Sequence, residues 1–253
     1  MIRARVIPCL LLTESGLVKT VRFDEAKYVG DPINAVRIFN EKEVDELVLL
    51  DIQASREGRG PDFDRVQDIV NEAFMPIAYG GGVTQLAQAQ QLIRLGVEKV
   101  VINHSALGGY GLLREMSEHL GAQAVVMSVD VKRDWMGRYK VYDASARATV
   151  DLDLVEHVRA AVAAGAGEIF VNDVTRDGVG KGYDLELLRK VSAAINVPVI
   201  ACGGAGTLAH LREAIDAGVS AVAAGSMFVY LGKHRAVMIN YPQPAALKET
   251  FGS

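Results

Sequence analysis

The sequence predicts a single (β/α)8 barrel of the α/β class, and three observations predict it. Eight short, β-branched apolar runs alternate with segments of helical period. No linker, low-complexity tract or block of like charge interrupts that alternation. One half of the chain repeats the other. The 253 residues fit one such barrel, which usually takes about 250, so one domain over 1–253 is expected.

The elements follow in order. The opening MIRARVIPCLLL carries two arginines but lacks the length and cleavage site of a signal peptide, so 5–12 reads as the first strand. Further strands are expected at 46–52 (ELVLLDI), 75–79 (MPIAY), 99–103 (KVVIN) and 123–131 (QAVVMSVDV). The last three are 167–174 (GEIFVNDV), 197–202 (VPVIAC) and 221–225 (AVAAG). Continuous apolar runs are what a parallel sheet buried on both faces requires. Amphipathic stretches at 84–95, 108–120, 151–164, 183–194 and 207–217 supply helices between them. Gly or Asp-Gly after many elements fits short connections.

Composition excludes several classes. Half the residues are apolar, yet no run of about 18 apolar residues exists, so no membrane span is expected. Cys9 and Cys202 are too few for a disulfide framework and read as reduced thiols of a cytoplasmic protein. A net charge of -4 with interspersed signs gives no footprint for nucleic acid. His104, His119, His157, His210 and His234 show no metal spacing, and no nucleophile elbow, P-loop or CxxC occurs, so no metal or cofactor is expected.

The repeat separates a closed ring from the alternative, a doubly wound open sheet. The segment from Pro76 aligns without gaps on that from Pro198, matching Gly81/Gly203, Gly82/Gly204, Leu86/Leu208, Ile93/Ile215, Gly96/Gly218 and Val97/Val219. At the same offset Glu46 falls on Glu168 and Asp51 on Asp173. Half-barrels of about 1–122 and 123–253 close naturally into a two-fold ring. Chance similarity between βα units is the plain alternative.

Chemistry in such a barrel belongs to the loops after the strands. Gly81-Gly82 after strand 3 and Asn103-His104 after strand 4 pair with Gly203-Gly204 and Gly225-Ser226 in the second half. Bare glycine backbone beside a helix start suits an anion, although tight turns need glycine as well. Two phosphate cradles are expected, with Asp177-Gly178 nearby, for a phosphorylated small molecule. Asp130 closes an apolar strand at the mouth and is a candidate general acid or base, or else a loop-fixing Asp. Superposing VIPCLLL on VVMSVDV sets Leu11 opposite Asp130, where a symmetric enzyme would hold a second carboxylate. Lys19 lies in the exposed, Gly-containing stretch ESGLVKTVRF, long enough for a mobile lid. At the other end Arg5, Glu46, Lys99 and Glu168 stand at strand starts. They could pair as a ring or each cap a strand and face solvent.

With these residues in place the chain resembles a known family. RVIPCL, LVKTVRF, GDPINA, YGGGV, KVVIN, VVMSVDVKR, GAGEI, TRDGVGKGYDLEL and VPVIACGGAG are similar, in order and spacing, to the cyclase subunit of imidazole glycerol phosphate synthase. The resemblance spans roughly residues 3–228. It implies a glutaminase partner docked on the N-terminal face as a heterodimer, and ammonia crossing the barrel to a substrate with two phosphates at the mouth. It implies that Arg5, Glu46, Lys99 and Glu168 form the ammonia gate and that Lys19 and Asp51 serve the substrate site. The family's acid/base pair matches Asp130 and, at the lost position, Leu11. His104 and Asn172 replace small hydroxyl residues, Ala146 replaces glycine, and the tail past Phe228 departs from the usual ending.

Losing one acid/base group typically costs about 100- to 10,000-fold in rate, so imidazole formation should be poor. IPCLLL with GKHRAVMINYP resembles a divergent branch found with lipopolysaccharide and surface-sugar genes. That likeness implies ammonia supply to an ATP-using amidotransferase that builds an acetamidino group on a nucleotide sugar. Two other readings stand beside it. One is a working histidine-pathway cyclase in which Asp51 or His104 covers for Leu11. The other is a phosphosugar-binding barrel without a glutaminase.

Overall fold

A computed structural model describes residues 4–232 and 234–252. Eight parallel strands form a closed ring: β1 (Arg5–Thr13), β4 (Leu47–Asp51), β5 (Ile77–Gly80), β6 (Lys99–Ile102), β7 (Val125–Arg133), β10 (Glu168–Asp173), β11 (Val199–Cys202) and β12 (Ala221–Ala224). Pairing of β12 with β1 and of β7 with β10 leaves no open edge among the eight. Six of the intervals hold the helices α1 (Pro32–Glu41), α2 (Phe63–Glu72), α3 (Leu86–Arg94), α5 (Gly111–Leu120), α6 (Leu154–Ala163) and α7 (Leu185–Ser192). α8 (Leu208–Asp216) fills the seventh, and α10 (Pro244–Phe251) packs against α8 at the end. Short helices α4 (His104–Leu107) and α9 (Ser226–Val229) follow β6 and β12. The (β/α)8 barrel is the architecture.

Period-two alternation explains why one strand serves two cores. Along β1, Val6, Leu10 and Leu12 join the layer between sheet and helices, while Ile7, Cys9 and Leu11 turn into the lumen. The lumen is filled by Val48, Ala78, Val101, Val126, Phe170, Ile200, Cys202, Ala221 and Ala223. Asp residues start several helices: Asp31, Asp62, Asp153 and Asp184 each accept a hydrogen bond from the first turn.

Three hairpins lie outside the strand-helix alternation expected from sequence. β2 (Gly16–Val21) and β3 (Asp24–Gly30) extend β1, and β8 (Tyr139–Asp143) with β9 (Ala148–Val150) extend β7. A small third hairpin, β13 (Tyr230–Leu231) and β14 (Ala236–Val237), follows α9. The first corrects the expectation for Lys19. Its segment is an ordered hairpin, and Lys19 is buried at 5% exposure, its Nζ donating to the Cys9 carbonyl. Five consecutive residues of β2, from Gly16 to Thr20, are buried, Lys19 among them.

Candidate functional site

The register places Leu11 where the repeat requires. Leu11 pairs with Leu50 as Asp130 pairs with Asn172, so the two-fold mates Leu50 and Asn172 flank the mates Leu11 and Asp130. β1 offers an apolar wall where β7 offers a carboxylate.

A cavity of about 370 Å³ opens at this end of the barrel. Asp130, Asn103, His104, Asp51, Gly81 and Gly82 all line it, with Leu11 and Leu50 as its apolar side. Asn103 Nδ2 donates to Asp130 Oδ2 at 2.8 Å. Burial pushes the Asp130 carboxyl up to about 7; the amides of Asn103 and Asn172 oppose this, and the charges of Asp177 and Asp143 add to it. A carboxyl poised there can give or take a proton near neutrality. His104 Nδ1 lies 3.2 Å from Asp143 Oδ1, and Asp143 is itself fixed by the Ser145 and Ala146 amides.

Asp51 has a structural task as well. Its carboxylate accepts from the Gln53 and Ala54 amides and is gripped by Arg59 at 2.8 and 3.0 Å. Asp173, its two-fold mate, does the same for Thr175 and Arg176. Gly81 is required where it stands, since φ is +135° and a Cβ would lie 2.6 Å from that of Asp51.

The second glycine set does not share this cavity. Gly203, Gly204, Gly225 and Ser226 lie outside its lining, as do Lys19, Asp177 and Gly178. A Cβ on Gly225 would stand 2.4 Å from Lys19 Nζ, so the first hairpin is packed onto that cradle. Asp177 holds the hairpin there: its Oδ2 accepts from Thr20 Oγ1 at 2.9 Å and its carbonyl from the Arg22 amide at 2.9 Å. Burial raises the Asp177 carboxyl and lowers the Lys19 ammonium. Of the two glycine sets matched by the repeat, only the first lines this cavity.

Sequence reasoning missed the contributors from the hairpins: Phe23, Tyr142, Asp143 and Arg147 all line the cavity. The turn signal Asp134–Gly137 in RDWMGRYK was available, with Asp134 Oδ1 accepting from the Met136 and Arg138 amides.

At the opposite end Arg5, Glu46, Lys99 and Glu168 converge. Arg5 bonds Glu46 and, at 2.6 Å, Glu168; Lys99 reaches Glu46 at 3.1 Å and Glu168 at 3.0 Å. Each cation bridges both carboxylates, which offsets the cost of withdrawing them from water. They do not cap strands toward solvent.

A parallel (β/α)8 barrel with an ion-paired floor, an apolar lumen and a carboxylate at the mouth carries distinct polar groups at its two ends. The comparisons name the family. The model of the family described as histidine biosynthesis protein matches residues 5–235, and the chain belongs to that family. It is 51% identical over 243 residues to the Pseudomonas aeruginosa protein named "Putative imidazole glycerol phosphate synthase subunit hisF2", covering 96% of this chain and 97% of that one. It is 45% identical to a Leptospira interrogans protein named "Putative imidazole glycerol phosphate synthase subunit HisF", covering 96% of each. It is 41% identical to the "Imidazole glycerol phosphate synthase subunit HisF" of Exiguobacterium sibiricum, covering 90% of this chain and 91% of that one. The chain is HisF-like along its length. No helix among the described residues is long and apolar enough to cross a membrane.

Proposed function

We propose that this chain is the barrel subunit of a glutamine-dependent amidotransferase, taking ammonia from a glutaminase and passing it through the lumen to an acceptor at the mouth. The acceptor is the nucleotide-sugar substrate of an ATP-dependent amidotransferase that forms an acetamidino group for surface polysaccharide. One observation carries the reading: Leu11 occupies the two-fold mate of Asp130 while the four-residue floor is complete. Ammonia handling is kept and half of the cyclase chemistry is lost.

The second reading is a working cyclase for histidine synthesis. Asp130 near neutrality and the His104–Asp143 pair in the same cavity favour it. The deciding experiment combines the barrel with its cognate glutaminase, glutamine and the bis-phosphorylated cyclase substrate, beside a Leu11→Asp variant. Barrel-dependent glutamine hydrolysis without imidazole product in the wild type supports the relay. Wild-type turnover at an ordinary enzymatic rate overturns it in favour of the cyclase.

A further inference from the structure

Ile7, Ala78, Val126 and Ile200 fill one layer of the lumen, and two residues further along the same four strands stand Cys9, Gly80, Ser128 and Cys202. Layers of four side chains from alternate strands are how such a barrel is packed, so both cysteines of the chain share one layer. A single strand, β12, separates β1 from β11, and it is small on its luminal side at Ala221 and Ala223. Both thiols are free and buried, and they hydrogen-bond each other across that gap. Two steps of about 4.8 Å between strands exceed the roughly 7 Å between Cα atoms that a disulfide tolerates. The backbone therefore disfavours a disulfide, while the sulfurs stand near enough for one ion to bridge them through two metal–sulfur bonds of about 2.3 Å each.

Softness and ligand number select the ion. Thiolates favour a soft cation such as cuprous copper over magnesium, calcium or manganese. Structural zinc asks for four ligands, and among the described residues no group of three or more His, Cys, Asp or Glu side chains could hold a metal ion. Charge favours the same choice, because a cuprous bis-thiolate is singly negative and Lys19 lies buried beside it, its Nζ donating to the Cys9 carbonyl. Burial lowers that ammonium, and the charges of Cys9, Asp177 and Cys202 oppose this. The Cys9 thiol is lowered chiefly by its bond to Cys202, with Lys19 adding to the effect against burial. Gly80 and Ser128 line the mouth cavity, which therefore reaches down to the same layer. We infer that Cys9 and Cys202 form a two-coordinate site for cuprous ion inside the lumen, with Lys19 as its counter-charge. The ion bonds to both sulfurs, the two thiol protons leave to solvent, and nothing is oxidised or reduced. Seated between the ion-paired floor and the mouth, the ion narrows the passage, so the site is a point of inhibition. It does not depend on the relay reading.

The probe is cuprous ion, delivered without oxygen from a colour-forming cuprous chelator to the reduced full chain. The folded wild type is expected to take one ion per chain, and X-ray absorption at the copper edge to show two sulfur neighbours. Cys202→Ser is expected to weaken uptake by more than the roughly 10- to 100-fold that loss of an outer partner costs, and Lys19→Gln by an amount within that range with one ion per chain retained. Zinc at matched concentration is expected to leave the copper in place. No uptake by the folded chain, uptake only after backbone ellipticity is lost, or equal affinity in Cys202→Ser overturns the inference. Fewer than two sulfur neighbours, or displacement by zinc, overturns it as well. The sulfur count is made on the wild type and stands even if Cys202→Ser folds poorly.

Discussion

Asp24 at the tip of the first hairpin is paired with Arg147 of the second at 3.0 Å, so the extensions of β1 and β7 meet across the mouth. Phe23 and Tyr142 add an edge contact at 6.3 Å. The contact is made by residues in the left-handed region: φ is 56° at Arg22, 63° at Phe23, 48° at Glu25 and 55° at Arg147. Both charges are exposed, and exposed pairs contribute little to stability.

Arg147→Ala should therefore leave the melting temperature unchanged within error. Amide hydrogen exchange at residues 20–26 should nevertheless become faster, because one of the ties that hold the strained tip is gone. Unchanged exchange would mean that the ties to Asp177, Thr175 and Cys9 hold the hairpin without the pair.

Asp130 should make the protein less stable as pH rises. Its folded value of about 7 lies above the unfolded value of about 3.9. Between those values the native state keeps a proton that the unfolded chain has released, so stability falls across that window. Asp130→Asn should be more stable than the wild type at pH 8 by on the order of 2–4 kcal/mol, with the difference fading toward pH 4. Urea unfolding at several pH values checks it. Asp173 and Asp177 are raised in the same direction but remain in both proteins.

Glu46 is the least exposed member of the floor, its side chain 4% exposed between Arg5 and Lys99. Glu46→Gln leaves two cations sharing one carboxylate and should cost about 3 kcal/mol. Denaturant midpoints at low and high salt test this. A loss that disappears in high salt would mean that the ring behaves as a surface network.

The tail after α9 is fastened to the first strand. Tyr241 Oη donates to the Val6 carbonyl at 2.9 Å, and its ring packs on Phe228 at 5.4 Å. Tyr241→Phe keeps the packing and removes the donor, and should cost about 1 kcal/mol. Thermal melts monitored at the single Trp135 and by backbone ellipticity would show it.

The barrel was legible because its signals are local and repeated. Apolar runs such as KVVI and IFVND need no tertiary knowledge to be read as buried strands, and the gap-free match from Pro76 to Pro198 supplied closure. The ends of elements were less legible: β7 continues to Arg133 because the chain keeps pairing with β8 beyond the barrel. Helix α1 went unread; its start rests on Asp31-Pro32, and only two of its four buried residues, Val36 and Phe39, are large and apolar. At the site, Leu11 was placed by register alone, since a two-residue period fixes which side chains enter the lumen. Lys19 was misplaced because burial of a lysine depends on Cys9, Asp177 and Gly225, residues far apart in the chain. The packing of the first hairpin onto Gly225 was invisible for the same reason.

The floor divides unevenly between the halves. Arg5 and Lys99 both belong to the first, and their two-fold mates in the second are Ala124 and Ala221, while each half gives one glutamate. A ring assembled from two first halves would gather four cations against two carboxylates, and one from two second halves would hold two carboxylates and no cation. Only the mixed pairing is neutral. Charge balance at the floor thus needs one copy of each half, and like-with-like assembly should be disfavoured if the halves are expressed as separate fragments.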